Sequence, residues 1–436
     1  MSPTVIMIMP GYPGEMPYFT RGLSMQGARV LGVAEGAEHE LPETARRHLS
    51  GYLQVPNLFS NEEAGIAMIR DWVKNETIDR VCCLWEPGIE LAAHMREVLG
   101  VPGQSRDQAK HFRNKDIMKQ ALSAAGIRVP HHASAKDSKG VYAAAEIVGY
   151  PLIIKPIAGA GSQDTFRCDD IKDVENAIKQ LGHIAEVDVE EFIDGEEYTF
   201  DTICAQNEIQ YFHIGFYRPR PLVARTVEWI SPQTLSYKNV DDPKLAGGRE
   251  MGAQVLKALG YERGFTHMEW YLKADGEAVF GEVAARPPGA RTVDLMNYAS
   301  DVDLFSGWAE AELYGKFSLE IERKYNCACI TKRAEGQGRI TRIDGIDKIR
   351  HRLGSSLCTI DLIPVGQPRR NWKSTLLSDG YVALRHPDWN ETIAMADFVG
   401  TDMHHERHLM LMQKKENLVL FNKYFEDRIF NDFSFY

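Results

Sequence analysis

The segment Phe265-Thr266-His267-Met268-Glu269-Trp270-Tyr271-Leu272-Lys273-Ala274-Asp275-Gly276-Glu277-Ala278-Val279-Phe280-Gly281-Glu282-Val283 is two apolar-rich runs either side of Asp275-Gly276. Asp-Gly between such runs predicts a β-hairpin closed by a two-residue type I′ turn. Counting outwards from the 275/276 midpoint, Glu269 meets Glu282. Directly opposed residues share a face with Cβ atoms about 4.5–5.5 Å apart. Met268, Trp270, Leu272, Val279 and Val283 fall on the other face and suit a core, whereas His267, Tyr271 and Phe280 share the carboxylate face. Two like charges so close are destabilising unless a cation lies between them, and hard Mg2+ favours one or two carboxylates completed by phosphate oxygens and water. Arg286, just past the second strand, can project a guanidinium toward the same centre.

Upstream, Pro151-Leu152-Ile153-Ile154-Lys155 reads as a strand followed by the small-residue loop Ala158-Gly159-Ala160-Gly161-Ser162. Such a loop lets backbone N–H groups approach phosphate oxygens, with Lys155 supplying charge. Asn114 is a good N-cap for a helix running to Gly126. Lys115 then sits in the first turn, where the helix dipole disfavours a cation unless it faces an anion. The acidic run Glu186 to Asp201 interleaves Val189, Phe192, Ile193, Tyr198 and Phe200 with its acids, as strands do, although charge runs are usually solvated.

The first hundred residues alternate strand and helix: Val5–Met9, Ala28–Val33, Gly51–Val55 and Val81–Trp85 as strands, Ala64–Val73 and Ile89–Leu99 as helices. That pattern predicts a parallel, Rossmann-like sheet. The loop after the first strand lacks G-x-G-x-x-G, which argues against a nicotinamide cofactor. Beyond Cys327 the chain is strand-rich, at Gly338–Ile343, Thr359–Val365 and Gly380–Leu384. His404 and His408 stand at helical spacing on a presumed surface helix with no other metal-ligand frame.

With 50 basic and 61 acidic residues the net charge is -11, so the chain has no background attraction for nucleic acid or anionic membrane. No apolar run approaches the length of a membrane span, and Met1–Pro10 reads as a first strand rather than a signal peptide. Seven cysteines without a C-x-x-C pair read as reduced core thiols of a cytoplasmic protein.

Together these pieces resemble the ATP-grasp superfamily of carboxylate–amine ligases, over roughly Lys110 to Leu313. The resemblance implies an α/β (α+β) ATP-grasp fold. An N-terminal Rossmann-like preliminary domain would span 1–108 and the ATP-grasp domain 109–325, with an ATP-binding subdomain over about 128–195 and a metal-binding, catalytic one over about 196–325. A strand-rich C-terminal lobe would span 326–436. It implies that Lys115 and Lys155 contact ATP, that Gly159, Gly161 and Ser162 cover the phosphates, and that Glu190, Glu191 and Ile193 belong to the adenine hinge. Glu197 then matches the ribose-binding glutamate and Glu269 and Glu282 the pair for Mg2+ (or Mn2+), while Arg286 and Lys155 serve catalysis. The family often carries Asn two residues after the second metal glutamate; this chain has Ala284 there.

Within the superfamily the chain is most similar to bacterial L-amino-acid ligases, the dipeptide synthetases related to the bacilysin enzyme. In these the region matching Phe216–Lys238, with Tyr217, Arg218, Arg220, Arg225, Glu228 and Trp229, helps line the amino-acid pockets; Ala290 and Arg291 follow Arg286 closely in this sequence and are candidates to face a substrate or to serve structure alone. The implied partners are small-molecule amino acids, with neither nucleic acid nor membrane; a homodimer is left open. The implied reaction is ATP-dependent amide formation through an acyl phosphate. A bicarbonate-activating carboxylase and an idle nucleotide-binding module are the alternatives.

Overall fold

The computed structural model describes residues 2–157 and 164–402. The loop glycines Gly159 and Gly161, Ser162, and the histidines His404 and His408 lie outside the described residues.

The N-terminal strands form a four-stranded parallel sheet in the order Gly51–Gln54, Arg29–Ala34, Thr4–Ile8, Arg80–Cys82. Its central strand is buried on both faces, which is why it reads as an unbroken apolar run. Ile6 and Ile8 pack with Ile66, Ile69 and Leu91, whereas Val5 and Met7 face Phe19 and Leu23. The helix Ile89–Leu99 ends where Gly100 takes a left-handed φ of +66°.

A second sheet of four antiparallel strands runs His132–Ala135, Val187–Glu191, Leu152–Pro156, Phe166–Cys168. Helices Ser138–Val148 and Ile171–Gln180 contribute Val141, Ala144, Val174 and Ala177 to its core.

The third sheet has eight antiparallel strands in the order Ala278–Ala284, Gly264–Lys273, Gly195–Ala205, Glu208–Arg218, Gln233–Ser236, Asn326–Thr331, Gly380–His386, Leu357–Leu362. The strands after residue 325 therefore extend the sheet that carries the glutamate hairpin; they do not build a sheet of their own. Gly338–Ile343, expected as a strand, has only an isolated bridge from Arg339 to Pro368. Of its residues only Ile340 is buried, so the segment has no apolar face to hold against a core.

The hairpin brings Glu269 opposite Glu282 by a different route from the one counted in the sequence. Lys273 N–H donates to Glu277 O at 3.0 Å and Gly276 N–H to Lys273 O at 2.9 Å, which closes a three-residue loop. A type I′ turn needs positive φ at both central residues, and only Gly276, at +86°, has it. The extra loop residue shifts the pairing by one, so Trp270 meets Phe280 and Tyr271 meets Val279. A β-bulge at Gly281 then restores the register, and Glu269 pairs with Glu282. Phe280 is consequently turned into the core with Met268, Trp270 and Val283, correcting its expected place on the carboxylate face. Gly281 is required at the bulge: a Cβ there would lie 2.8 Å from the Glu269 carbonyl oxygen.

All seven cysteines are free; six are buried and Cys358 is half-buried. Among the described residues no helix is long and apolar enough to cross a membrane.

Candidate active site

The second sheet and the hairpin end of the third enclose a cleft holding about 710 Å³ of atom-free space. Lys115, Lys155, Glu190, Glu191, Ile193, Glu197, Glu269 and Glu282 all line it. These residues come from a helix, five strands and, for Ile193, the link between two of those strands, spread over the chain between 115 and 282.

Lys115 opens the helix Lys115–Ala124, whose N-cap Asn114 accepts the Asp116 and Ile117 N–H groups, each at 3.0 Å. The cap fixes the first turn, and the Lys115 ammonium lies 3.1 Å from a Glu282 oxygen. One turn further on, Lys119 is fully buried and bonds both Asp188 and Glu190. Lys155 donates to the other Glu190 oxygen at 2.5 Å. Burial disfavours the Glu190 carboxylate, but the two ammonium groups outweigh it and hold the carboxyl far below the usual range. Burial likewise opposes the Lys155 ammonium, and Glu190 and Asp188 more than compensate, raising its pKa.

Glu282 is pushed up by burial and down more strongly by Lys115 and Lys155, to about 2. Glu269 accepts the Tyr217 hydroxyl at 3.3 Å and lies 3.5 Å from His267 Nε2. On its other side His267 Nδ1 donates to the buried Asp201 at 2.5 Å, and His213 Nδ1 donates to the second Asp201 oxygen at 2.9 Å. Burial alone would raise the Asp201 carboxyl, yet the two imidazoles hold it at about 2. The chain thus supports the outer glutamate from behind with a hydrogen-bonded row, which limits its rotamers.

Glu197 is buried, and both its desolvation and the charge of Glu269 push its carboxyl up to about 8 against the pull of Arg220. Arg220 reaches it at 3.3 Å, donates to Ile193 O at 2.9 Å, and lies over the Tyr271 ring at 4.9 Å. The Glu191 carboxylate is tied by both oxygens to Arg128 at 2.9 Å.

Arg286 stands at the hairpin's exit, where Glu269 and Glu282 both stabilise its charge. Its Nε donates to Glu86 at 2.8 Å, and Glu86 also bonds Arg113. The residues from Phe216 to Lys238 divide. Tyr217 reaches Glu269 and Arg220 the cleft, but Arg218 turns to Gln233 and Asp397, Arg225 to the Lys373 carbonyl, and Glu228 to Arg369. Trp229 is exposed. Arg291 pairs with Asp294 at 3.3 Å.

The donor set fits a hard divalent cation. Two carboxylates face each other across the hairpin, and the Ala284 side chain offers no donor atom. Among the described residues no three His, Cys, Asp or Glu side chains gather as a metal site. The remaining ligands would be phosphate oxygens and water, which is how Mg2+ is usually held.

Lysines and paired glutamates share one cleft, and residues 112–215 match the ATP-grasp domain family. The chain carries an ATP-grasp domain. The whole architecture is that of ATP-grasp proteins: a solved L-amino acid ligase from Bacillus licheniformis superposes with a TM-score of 0.75 at 20% identity, covering 91% of this chain and 96% of that one. An ADP complex of N5-carboxyaminoimidazole synthetase from Staphylococcus aureus gives 0.68 at 16% identity, covering 91% and 98%. In sequence, the chain is 26% identical to the L-arginine-specific L-amino acid ligase of Bacillus subtilis over 262 residues, 58% of this chain and 62% of that protein. It is 25% identical to dapdiamide A synthase of Enterobacter agglomerans over 224 residues, 49% and 52%. The matched region thus spans about half to three fifths of these two relatives.

Sequence reasoning missed Lys119 and Glu86. Lys119 lies one turn from Lys115 on the same helix face, and that spacing was an available signal. Nothing local marks Glu86.

Proposed function

We propose that this protein is an ATP-dependent carboxylate–amine ligase that joins two amino acids through an acyl phosphate, releasing ADP and phosphate. The observation that carries the reading is the cross-strand pair Glu269/Glu282 in one cleft with Lys115 and Lys155, and with Arg286 beside it. The likeness to amino-acid ligases in sequence supports it.

In this reading Lys155 and Lys115 bind ATP phosphates, Glu197 the ribose hydroxyls, and the Glu190–Ile193 strand end the adenine. Gly159, Gly161 and Ser162 are assigned to the loop that covers the phosphates and excludes water. Glu269 and Glu282 would hold Mg2+ or Mn2+, which when bound neutralises charge on the β- and γ-phosphate oxygens. An oxygen of the acid's carboxylate attacks the γ-phosphorus while the bond to the β-phosphate oxygen breaks and ADP leaves. The second amino acid's free amine then attacks the acyl carbon. Arg286, held in line by Glu86, stabilises the transferred phosphoryl group and the oxyanion of the tetrahedral intermediate. Collapse expels phosphate, the nitrogen loses a proton, and the amide remains.

The test is a matrix of amino-acid pairs with ATP, reading phosphate release and identifying products by mass spectrometry. Phosphate release that requires two amino acids, with a dipeptide product, is expected; bicarbonate-dependent release without amino acids would replace this reading with the carboxylase. Tight ATP binding with no turnover on any pair would replace it with the idle module. Glu282→Ala is expected to abolish ADP release while circular dichroism shows the fold retained, with melting lowered by loss of the carboxylate that Lys115 and Lys155 stabilise. Near-normal turnover in that variant would sink the metal assignment.

A further inference from the structure

A second pocket, with about 810 Å³ of atom-free space that includes open solvent, lies outside the nucleotide cleft, between the N-terminal sheet, the connector around Gln104, the start of the strand Gly264–Lys273 and the helix Leu304–Tyr314. Its walls carry three arginines, Arg80, Arg96 and Arg263. In a chain with an excess of acids this is a local concentration of positive charge. Three guanidinium groups face two wall carboxylates, Glu262 and Glu312, and their shortest hydrogen bonds go to carbonyls. Arg80 donates to the carbonyls of Glu312 and Asp79, Arg96 to those of Val81 and Gln104, and Arg263 to that of Glu312. Glu312 lies among all three arginines, 3.8 Å from Arg80, and Glu262 lies 3.8 Å from Arg263, so the walls keep one positive charge in excess.

Two more donors face the same situation. The Trp308 indole N–H and the Gln104 amide nitrogen, both on residues lining the cavity, are buried without a hydrogen-bond partner, and Trp308 is only 1% exposed. A buried N–H left unsatisfied costs about 1–3 kcal/mol, so each is a vacancy for an acceptor. The floor is apolar, with Leu84, Ile89 and Phe265. Fixed guanidinium forks and spare N–H donors above an apolar floor recognise an acceptor-only, negatively charged group attached to an apolar body.

We propose that this cavity is a binding site for a small organic anion, whose carboxylate or phosphate is held by Arg80, Arg96 and Arg263 with the Trp308 indole as a further donor. It is distinct from the nucleotide cleft, with which it shares no wall residue. Ala285 lines it and Arg286 follows, so an occupant would sit one residue behind the proposed catalytic arginine.

The test uses the full chain with the nucleotide cleft saturated by a non-hydrolysable ATP analogue and Mg2+. Phenyl phosphate, benzoate and neutral phenol are then titrated by calorimetry. One-to-one saturable binding of phenyl phosphate or benzoate, and none of phenol, is expected, and the tighter anion identifies the headgroup. Arg263→Met should weaken that binding about ten-fold, and Trp308→Phe by a smaller factor, with nucleotide binding unchanged in both. If Arg263→Met does not fold, Trp308→Phe decides alone, because it keeps an aromatic ring at the position while removing the indole N–H. Absence of saturable anion binding, or binding indifferent to the substitutions in folded protein, would reduce the arginines to interdomain mortar and overturn the proposal.

Discussion

Replacing Lys119 by methionine removes one of two ammonium groups from a buried cluster in which Lys119 and Lys155 face Asp188 and Glu190. Methionine keeps the length of the side chain, so the main loss is charge. One carboxylate is then left uncompensated where side-chain exposure is 0% for Asp188 and 7% for Glu190. The cheapest relief is to take up a proton. From an ordinary carboxyl pKa of 4.5, neutralising the group at pH 7 costs about 3.4 kcal/mol, at about 1.36 kcal/mol per pH unit. That matches the roughly 3–5 kcal/mol typical of a broken buried ion pair. In the native protein Glu190 has a depressed pKa, so its stabilisation is present above the unfolded value and lost only as pH falls through the folded one. In the variant the carboxyl is raised, and its penalty grows as pH rises above the unfolded value. The deficit of Lys119→Met should therefore shrink to about 1.4 kcal/mol at pH 5.5. Urea unfolding of both proteins at pH 7 and 5.5 measures it, and adding Asp188→Asn to the variant should recover most of the loss at pH 7. A deficit independent of pH, or one below about 1 kcal/mol at pH 7, would refute the cluster's electrostatic account.

Gly281→Ala should cost about 1–3 kcal/mol through overpacking against the Glu269 backbone and depress ADP release more than it depresses melting. Glu197→Gln should flatten the loss of stability between pH 4.5 and about 8, because the raised carboxyl binds its proton more tightly folded than unfolded and stability falls as pH rises through that window; pH-dependent urea titrations read it. Glu86→Gln should lower turnover by about ten-fold or more while leaving the KM for ATP near wild type, since Glu86 touches Arg286 and not the nucleotide cleft's walls; steady-state kinetics separates the two constants.

Local chemistry made several elements readable. The helix Ile89–Leu99 was bounded by Gly100, and the helix from Lys115 by Asn114, because caps act through the adjacent backbone. The opposition of Glu269 and Glu282 was legible even though the turn was misjudged, because a three-residue loop and the bulge at Gly281 cancel in the count. Phe280 lies between those two irregularities and so was placed on the wrong face. What stayed hidden depends on distant partners. Lys119 is surrounded by carboxylates 69 and 71 positions away, and Glu86 meets an arginine 200 positions away. The acids from Glu186 to Asp201 looked equally compatible with solvent, and only the neighbouring lysines, histidines and Arg220 explain why four of them are buried.

The union of the C-terminal strands with the hairpin sheet has a practical consequence. Gln233–Ser236 is the short rung between the two halves, hydrogen-bonded to Glu208–Arg218 on one side and Asn326–Thr331 on the other. Its Leu235 is sealed beneath Ala328, Ile330, Val382 and Leu384. Cutting the chain at residue 325 to isolate a minimal catalytic fragment would strip that rung to a raw edge, with unpaired amides beside a bared leucine. Such edges recruit other strands, so the trimmed chain would self-associate, whereas a fragment ending after Asp402 keeps this rung paired on both sides.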